Sequence, residues 1–231
     1  MTTRFIPATG DPLSKMPTPG LVSMPELFGL LIDQSRLTER MAILMEEYLQ
    51  FGDPDLIANI QRLESEGVFL RKRNVEWLKG LNGAPLDRDA LMQACFFAEA
   101  VQGVLAGIVT DMDTMGMPAE WSILEMAVQL RHTVERLRIG HEKLIYAPAE
   151  VIAEVEAILK MRKSMEKSYR AALARLLDSA DQPDQNFNNP DGIRRIFHVF
   201  RHRELYRRFR DGGIEIANCG RVLQDIARQF V

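Results

Sequence analysis

Apolar residues recur at three- and four-residue spacing through most of the chain, and proline or glycine interrupts the pattern at five places. The interruptions fall at residues 52–54, 82–85, 115–118, 147–148 and 178–190. Proline suits the first turn of a helix, so each interruption predicts the end of one helix and the start of the next. No run of β-branched residues alternates with polar residues between turn signals. The sequence therefore predicts an all-α protein, an antiparallel bundle of six long helices.

The N-terminal residues 1–22 lack this periodicity and contain four of the prolines, so we predict an irregular arm followed by one bundle domain over residues 23–231. No apolar region of useful length follows the first charges, which argues against a signal peptide. The two cysteines, Cys95 and Cys219, have no secreted-type spacing and fit a reducing compartment. We therefore expect a cytoplasmic protein.

The most apolar stretch is residues 90–109, which is nearly as long as a membrane span but contains Glu99 near its middle. A carboxylate is costly at the centre of a lone span. We interpret the stretch as a core helix of the bundle, so that the protein is not an integral membrane protein. Gly103 and Gly107 are four residues apart, a spacing that predicts close approach of a neighbouring helix.

The C-terminal stretch 194–231 changes character at the Gly212–Gly213 pair. The part before the pair is cationic, and the part after it has an apolar helical stripe. The chain as a whole has a net charge of −3, which gives no global basis for binding nucleic acid. We single out four arginines as a candidate site for an anion or a partner protein, with a solvated helix face as the alternative. They are Arg201, Arg207, Arg208 and Arg210.

Other side chains of this stretch suggest structural roles. Phe197, Phe200 and Phe209 are predicted to lie in the core, because they form no base-stacking platform. His198 and His202 have the spacing of two ligands to one metal, but arginines flank them. We interpret the histidine pair as part of an ordinary exposed basic face. The chain contains no nucleotide-binding loop, no hydrolase nucleophile motif and no cysteine pair spaced for zinc.

Asp211 and Glu215 lie one turn apart beside the apolar stripe. Two carboxylates on one helix face form half of a site for a hard divalent cation, which prefers several oxygen ligands. A solvated helix face has the same pattern, so the pair alone decides nothing.

Five short segments follow one another in a characteristic order. They are LESEGV at 63–68, PLDRD at 85–89, EAVQG at 99–103, YRAALARLL at 169–177, and ELYRRFRDGGIEIAN at 204–218. In order and spacing these segments resemble the motifs of the DUF47 family of PhoU-like phosphate transport regulators. The resemblance extends from about residue 28 to residue 226.

This resemblance implies a PhoU-like helical bundle in the cytoplasm, linked to phosphate uptake and to an inorganic phosphate transporter. It also implies metal clusters held by pairs of acidic residues on several helices. The corresponding positions here are Glu64, Glu99, Glu166, Asp211 and Glu215. Three of the four pairs have lost one acid. Val68 and Gly103 stand at the second positions after Glu64 and Glu99, and Arg162 stands at the earlier position before Glu166. We therefore expect the metal site to be degenerate and to bind weakly or not at all.

The first hypothesis is a non-enzymatic regulator or accessory of phosphate transport, which acts through protein contacts and needs no cofactor. Its partner would be a phosphate transporter or another membrane protein at the inner face of the membrane. The second hypothesis is a metal-binding bundle, including a hydrolase, that uses the five acidic residues and a divalent or trivalent metal. The third is a helical scaffold unrelated to phosphate. Each is compatible with a homo-oligomer.

Overall fold

The computed structural model describes residues 23–81, 87–180 and 190–230, so the predicted arm at 1–22 lies outside the described residues. Six long α-helices and no strand are present in these ranges, which confirms the predicted all-α class. The helices are α1 (Met24–Phe51), α2 (Asp55–Lys79), α3 (Arg88–Met115), α4 (Trp121–Tyr146), α5 (Val151–Ala180) and α6 (Pro190–Ala227).

The helix ends follow from local chemistry. Ser23 and Glu26 form a reciprocal capping box before α1, in which the Ser23 backbone N–H donates to Glu26 at 2.9 Å. The Asp87 carboxylate accepts from the backbone N–H of Asp89 at 2.9 Å and so caps α3. Gly52 and Gly116 end α1 and α3 with φ values of +69° and +58°, a backbone region in which a side chain is strained.

The six helices form two groups of three. Within α1–α3 each helix contacts the other two, and the same is true within α4–α6. The two groups meet along α1 against α4 and along α3 against α6. Buried apolar side chains from all six helices belong to one continuous core. Packing therefore joins the two groups into a single body.

α3 is long and apolar enough to cross a membrane if length and composition alone are considered. Half of its most apolar window is buried against other helices, which is typical of a core helix. Its Glu99 is held by Arg71 of α2, and Arg71 also lies over the exposed ring of Phe96, 5.2 Å from the centroid. These contacts fit the interpretation of this stretch as part of a bundle.

The Gly212–Gly213 pair marks a close packing point within a continuous helix. α6 passes through both glycines without interruption. A Cβ at Gly212 would lie 3.0 Å from Val104 of α3 and 3.2 Å from Leu130 of α4. A Cβ at Gly213 would lie 3.3 Å from Met165 of α5. The missing side chains let α6 approach three helices at once.

The predicted close contacts at Gly103 and Gly107 take a different form. A Cβ at Gly107 would meet the guanidinium of Arg208 at 2.6 Å, and one at Gly103 would lie 3.9 Å from a Glu64 oxygen. Both glycines therefore face polar ends of side chains on neighbouring helices, rather than helix backbone. The spacing of the two glycines predicted that other helices lie close to them, but not which side-chain groups occupy the space beside each glycine.

The predicted core position of the aromatic residues in α6 is correct for Phe209 and wrong for two others. Phe209 is fully buried, whereas Phe197 and Phe200 are 58% and 65% exposed. The first part of α6 keeps most of its described side chains outside the bundle core, and the buried side chains of this helix begin at His202 and Leu205.

Candidate functional site

The five acidic residues predicted as a degenerate metal site do not form a cluster. All five lie in described helices, and no three of them place ligand atoms within 4.8 Å of one another. Glu64 is on α2, Glu99 on α3 and Glu166 on α5, and Asp211 and Glu215 are on α6. The bundle therefore does not direct these carboxylates toward one common centre.

Arginines neutralise three of these five carboxylates. Arg71 holds Glu99 with two bonds, Nε to Oε2 at 2.7 Å and Nη2 to Oε1 at 3.1 Å. Glu166 accepts from Arg170 at 2.8 Å, one turn further along α5. Asp211 accepts from Arg207 and Arg210, each at 2.8 Å. An arginine partner satisfies the oxygens that a hard cation would otherwise require.

Glu64 and Glu215 have no ion pair in the part of the chain that the structure describes. Partial burial raises the pKa of Glu64 above its ordinary value, because a low-dielectric surrounding disfavours the charged form. Its Oε1 lies toward Gly103, the position where the resemblance would place a second carboxylate. A glycine there removes the ligand that could share a cation with Glu64.

The four arginines proposed as an anion or partner site are largely occupied by contacts inside the protein. Arg207 pairs with Glu204 and Asp211, and Arg208 pairs with Asp111 of α3. Arg210 pairs with Asp211, and its guanidinium lies 4.9 Å from the ring centroid of Tyr169. The fourth, Arg201, is exposed and donates to the carbonyl oxygen of Met115 at 3.2 Å.

A different basic surface lies between the C-terminal part of α5 and the N-terminal part of α6. We call this surface the α5–α6 groove. It is an open depression of about 480 Å³ lined by Leu173, Leu177, Arg195, Ile196, Val199, Phe200 and Arg203. Leu177, Ile196 and Phe200 are exposed apolar side chains, and neither Arg195 nor Arg203 has an ion pair among the described residues. The α5–α6 groove therefore combines an apolar centre with a cationic edge.

The interpretation of His198 and His202 as an exposed face is wrong for one of the two. His202 is only 2% exposed, whereas the side chain of His198 is 53% exposed. Glu120, which directly precedes α4, lies against both rings, with its Oε1 3.0 Å from His202 Nε2. Sequence reasoning missed Glu120, because nothing in its neighbourhood indicates that the start of α4 packs against the start of α6. The i, i+4 histidine spacing was the available signal.

No protein-family model and no curated protein sequence matches the chain. Solved structures do. A PhoU-like protein from Shewanella oneidensis MR-1 is 8% identical, with a TM-score of 0.63 over 87% of this chain and 99% of that chain. A second protein of that organism, named for PhoU-like phosphate regulation, is 9% identical, with a TM-score of 0.62 over 87% and 98%.

PhoU from Pseudomonas aeruginosa is 14% identical, with a TM-score of 0.63 over 89% of this chain and 97% of that chain. At these identities the likeness establishes the fold. The chain has the PhoU-like helical bundle that its motif order implied.

Proposed function

We propose that the protein is a non-enzymatic regulator or accessory of phosphate transport, of the DUF47 type, working at the inner face of the membrane. The observation that carries this proposal is the PhoU-like fold, which is shared over nearly the full length of three PhoU or PhoU-like proteins, one of them named for phosphate regulation. We also propose that residues 23–231 act as one domain. The partner is an inorganic phosphate transporter or another membrane protein.

The state of the acidic residues supports a role through contacts rather than metal-dependent chemistry. Glu99, Glu166 and Asp211 are paired with arginines, and the positions opposite Glu64 and Glu99 carry no acid. At these positions an arginine supplies the positive charge that a cation would otherwise supply, and the Arg71–Glu99 pair also joins α2 to α3. The function that we propose therefore needs no metal at the five acidic residues.

The α5–α6 groove is the surface that best fits a membrane-side contact. Exposed apolar side chains such as Phe200 can enter the headgroup boundary of a bilayer or an apolar surface of a membrane protein. Arg195 and Arg203 can meet anionic lipid, and each such charge contributes about 1 kcal/mol near an anionic leaflet. The proposal also includes the positive charge of the neighbouring arginines Arg201, Arg207, Arg208 and Arg210. They contribute less than the groove, because contacts inside the protein already occupy them.

A vesicle experiment tests the groove. The variant Arg195→Glu with Arg203→Glu reverses both groove charges, and neither arginine forms an ion pair among the described residues. Arg203 acts on the neighbouring Glu204 through its charge alone, without a hydrogen bond. We expect the wild type to sediment with anionic vesicles at low salt and to be released at high salt, since salt screens exposed charges. The double variant should stay in solution at both salt concentrations.

The matched control is Arg40→Glu with Arg88→Glu, which changes the net charge equally at two exposed arginines outside the groove. It should sediment like the wild type. Substitution of Arg207 and Arg208 is a poorer test, because glutamate there would repel Glu204, Asp211 and Asp111 and so perturb the fold. Equal sedimentation of the groove variant and the control would remove the groove from the proposal.

The regulatory role has its own test. Cells that lack the gene should show altered uptake of labelled phosphate, and the wild-type gene should restore it while the groove variant does not. Capture of the native protein from solubilised membranes should recover a phosphate transporter. Unchanged uptake together with capture of unrelated partners would favour a scaffold that has no connection with phosphate.

A further inference from the structure

Two imidazoles and one carboxylate meet where the start of α4 packs against the N-terminal half of α6. Oε1 of Glu120 lies 3.0 Å from Nε2 of His202 and 3.8 Å from Nε2 of His198. The three candidate ligand atoms all lie within 4.8 Å of one another. In the described part of the chain, this is the one group of three such residues that is close enough to hold a metal ion.

These separations are near those of ligands that share one metal. With bonds of about 2.0–2.2 Å, the ligands of a tetrahedral or octahedral ion are separated by about 3.0–3.5 Å. His198 and His202 are one helical turn apart, with ring centroids separated by 4.0 Å and ring planes inclined by 31°. A small side-chain adjustment of the partly exposed His198 brings all three atoms to bonding distance.

The hydrogen bond of His202 fixes the nitrogen that carries its proton. Nδ1 of His202 lies 2.9 Å from the carbonyl oxygen of His198, and a carbonyl can only accept, so Nδ1 carries the hydrogen. Metal-binding histidines use this arrangement, because it directs the lone pair of the other nitrogen toward the ion. In the neutral ring, Nε2 of His202 is therefore an acceptor.

The environment of Nε2 favours a cation. The atom is buried and has no aligned hydrogen-bond partner among the described residues, although the Glu120 oxygen is 3.0 Å away. Two acceptors that face each other at this distance repel, unless a proton or a metal ion lies between them. An unpaired polar atom is costly on a side chain as buried as that of His202, which is only 2% exposed.

The carboxylate is oriented for the same role. Glu120 stands at the N-cap of α4, yet its side chain makes no capping bond there. Instead its Oε2 accepts from the hydroxyl of Tyr206 at 3.4 Å, which leaves Oε1 toward the histidines. Tyr206 is thus a positioning residue.

The flanking arginines, which argued against a metal when only the sequence was considered, are compatible with one in the structure. Arg201 is engaged by the Met115 carbonyl. Arg195 and Arg203 line the α5–α6 groove and not the cleft beside His198.

We propose that Glu120, His198 and His202 form a binding site for one divalent first-row transition metal ion. Imidazole ligands select Zn²⁺, Co²⁺, Ni²⁺ or Fe²⁺ over Mg²⁺ and Ca²⁺, which prefer oxygen. Three protein ligands would leave further coordination positions for water or another ligand. Both histidines line a cleft of about 310 Å³, together with Met117, Phe197 and Arg201. This site is independent of the five acidic residues and of the proposed role in phosphate transport.

The test uses the untagged full chain after treatment with a chelator, titrated with Co²⁺ and Zn²⁺. We expect one Co²⁺ per chain with a visible absorption band, displaced by Zn²⁺ and not by Mg²⁺. His198→Ala and Glu120→Gln should each weaken the affinity by more than about tenfold, since each loses a direct ligand. His198 is half exposed, so its variant is expected to keep the fold, which circular dichroism checks.

His132→Ala is the matched control, because His132 is exposed on α4 and lies outside the cluster. It should bind Co²⁺ like the wild type. Absence of stoichiometric binding in the wild type would mean that Glu120, His198 and His202 form only a structural contact between α4 and α6. Equal affinity in the wild type and the folded His198→Ala variant would place the metal elsewhere. Either result would overturn the proposal.

Discussion

His141, near the end of α4, is a titratable side chain placed in the apolar core. It is 2% exposed, and neither ring nitrogen has an aligned hydrogen-bond partner among the described residues. Burial lowers the pKa of His141 from 6.5 to about 4, although the backbone of Leu137 opposes the shift. The folded protein therefore holds this ring neutral at a pH where the unfolded chain would protonate it.

Stability should consequently fall in mildly acidic solution. Between pH 6.5 and about 4 the unfolded chain binds a proton at His141 that the folded protein does not bind. The free energy of unfolding contains a contribution that is fully present above this interval and is lost as the pH decreases through it, roughly 3 kcal/mol in total. Urea unfolding at neutral pH and near pH 4 should show a larger loss for the wild type than for His141→Gln.

Carboxylates titrate in both proteins, so their contribution to the loss of stability cancels when the wild type is compared with His141→Gln. His132→Ala serves as a control, because it removes an exposed histidine. An equal loss in the wild type and the His141→Gln variant would mean that solvent reaches the ring.

For single residues, the sequence identified side chains of the types that form sites, but not which of them contact one another in the fold. The i, i+4 spacing of His198 and His202 was visible in the sequence, whereas Glu120 lies 78 positions before His198 and meets it only through the packing of α4 on α6. The arginine partner of Glu99 likewise comes from another helix. Local spacing defines a helix face, and tertiary contacts decide what that face touches.

At the scale of elements, proline and glycine breaks predicted all six helices and most of their ends. The start of α4 is an exception, since helix begins at Trp121 rather than at Pro118, after Glu120 in extended conformation. The Gly212–Gly213 pair marked a change in composition, but its packing role depends on Val104, Leu130 and Met165 from three other helices. Interhelical space cannot be deduced from periodicity along one helix.

Gly67 shows how one glycine links an element to a buried polar network. The carboxamide of Gln102 on α3 fills the space where a Cβ of Gly67 would stand. Its Nε2 donates to Thr38 Oγ1 at 2.8 Å and lies 3.4 Å from the Gln34 carbonyl oxygen, both on α1. Gln34 in turn donates to the Cys95 carbonyl at 2.9 Å. These bonds connect α1 with α3 inside the core, and α2 packs against them where Gly67 meets Gln102.

Gly67→Ala should therefore destabilise the protein, although alanine favours helix more than glycine does. The methyl group would displace Gln102 from Thr38 and leave buried polar atoms unpaired, at a cost of about 1–3 kcal/mol. Gly29→Ala is the matched substitution, because nothing lies within 4 Å of a Cβ built there. It should raise the free energy of unfolding by about 0.5–1 kcal/mol. Chemical denaturation measures both, and changes of the same sign would contradict the role of Gly67.

At the scale of the whole molecule, ion pairs line the contact of α1 with α4, where the two three-helix groups meet. Arg138 of α4 bonds Glu39 of α1 at 2.8 Å and Glu142 at 2.6 Å, and Glu142 also accepts from Arg36 at 2.9 Å. Burial alone would raise the pKa of Glu142, but the bonds from Arg36 and Arg138 lower it overall. With α3 packed on α6 as a second contact, neither group exposes a separate apolar face.

We therefore expect the two groups to unfold together. Trp77 of α2 reports on the first group once the exposed Trp121 is replaced by phenylalanine, and far-UV circular dichroism reports on all helices. In this background the two probes should give one transition at the same denaturant concentration. Separate transitions for the two probes would show that each three-helix group is stable alone.

The substitution Arg138→Ala tests the contact itself. It should shift both unfolding curves together and reduce the free energy of unfolding by about 1–2 kcal/mol, because it leaves Glu39 and Glu142 without a shared partner. Arg170→Ala is the control, since it removes only an exposed pair with Glu166 and should change the free energy of unfolding little.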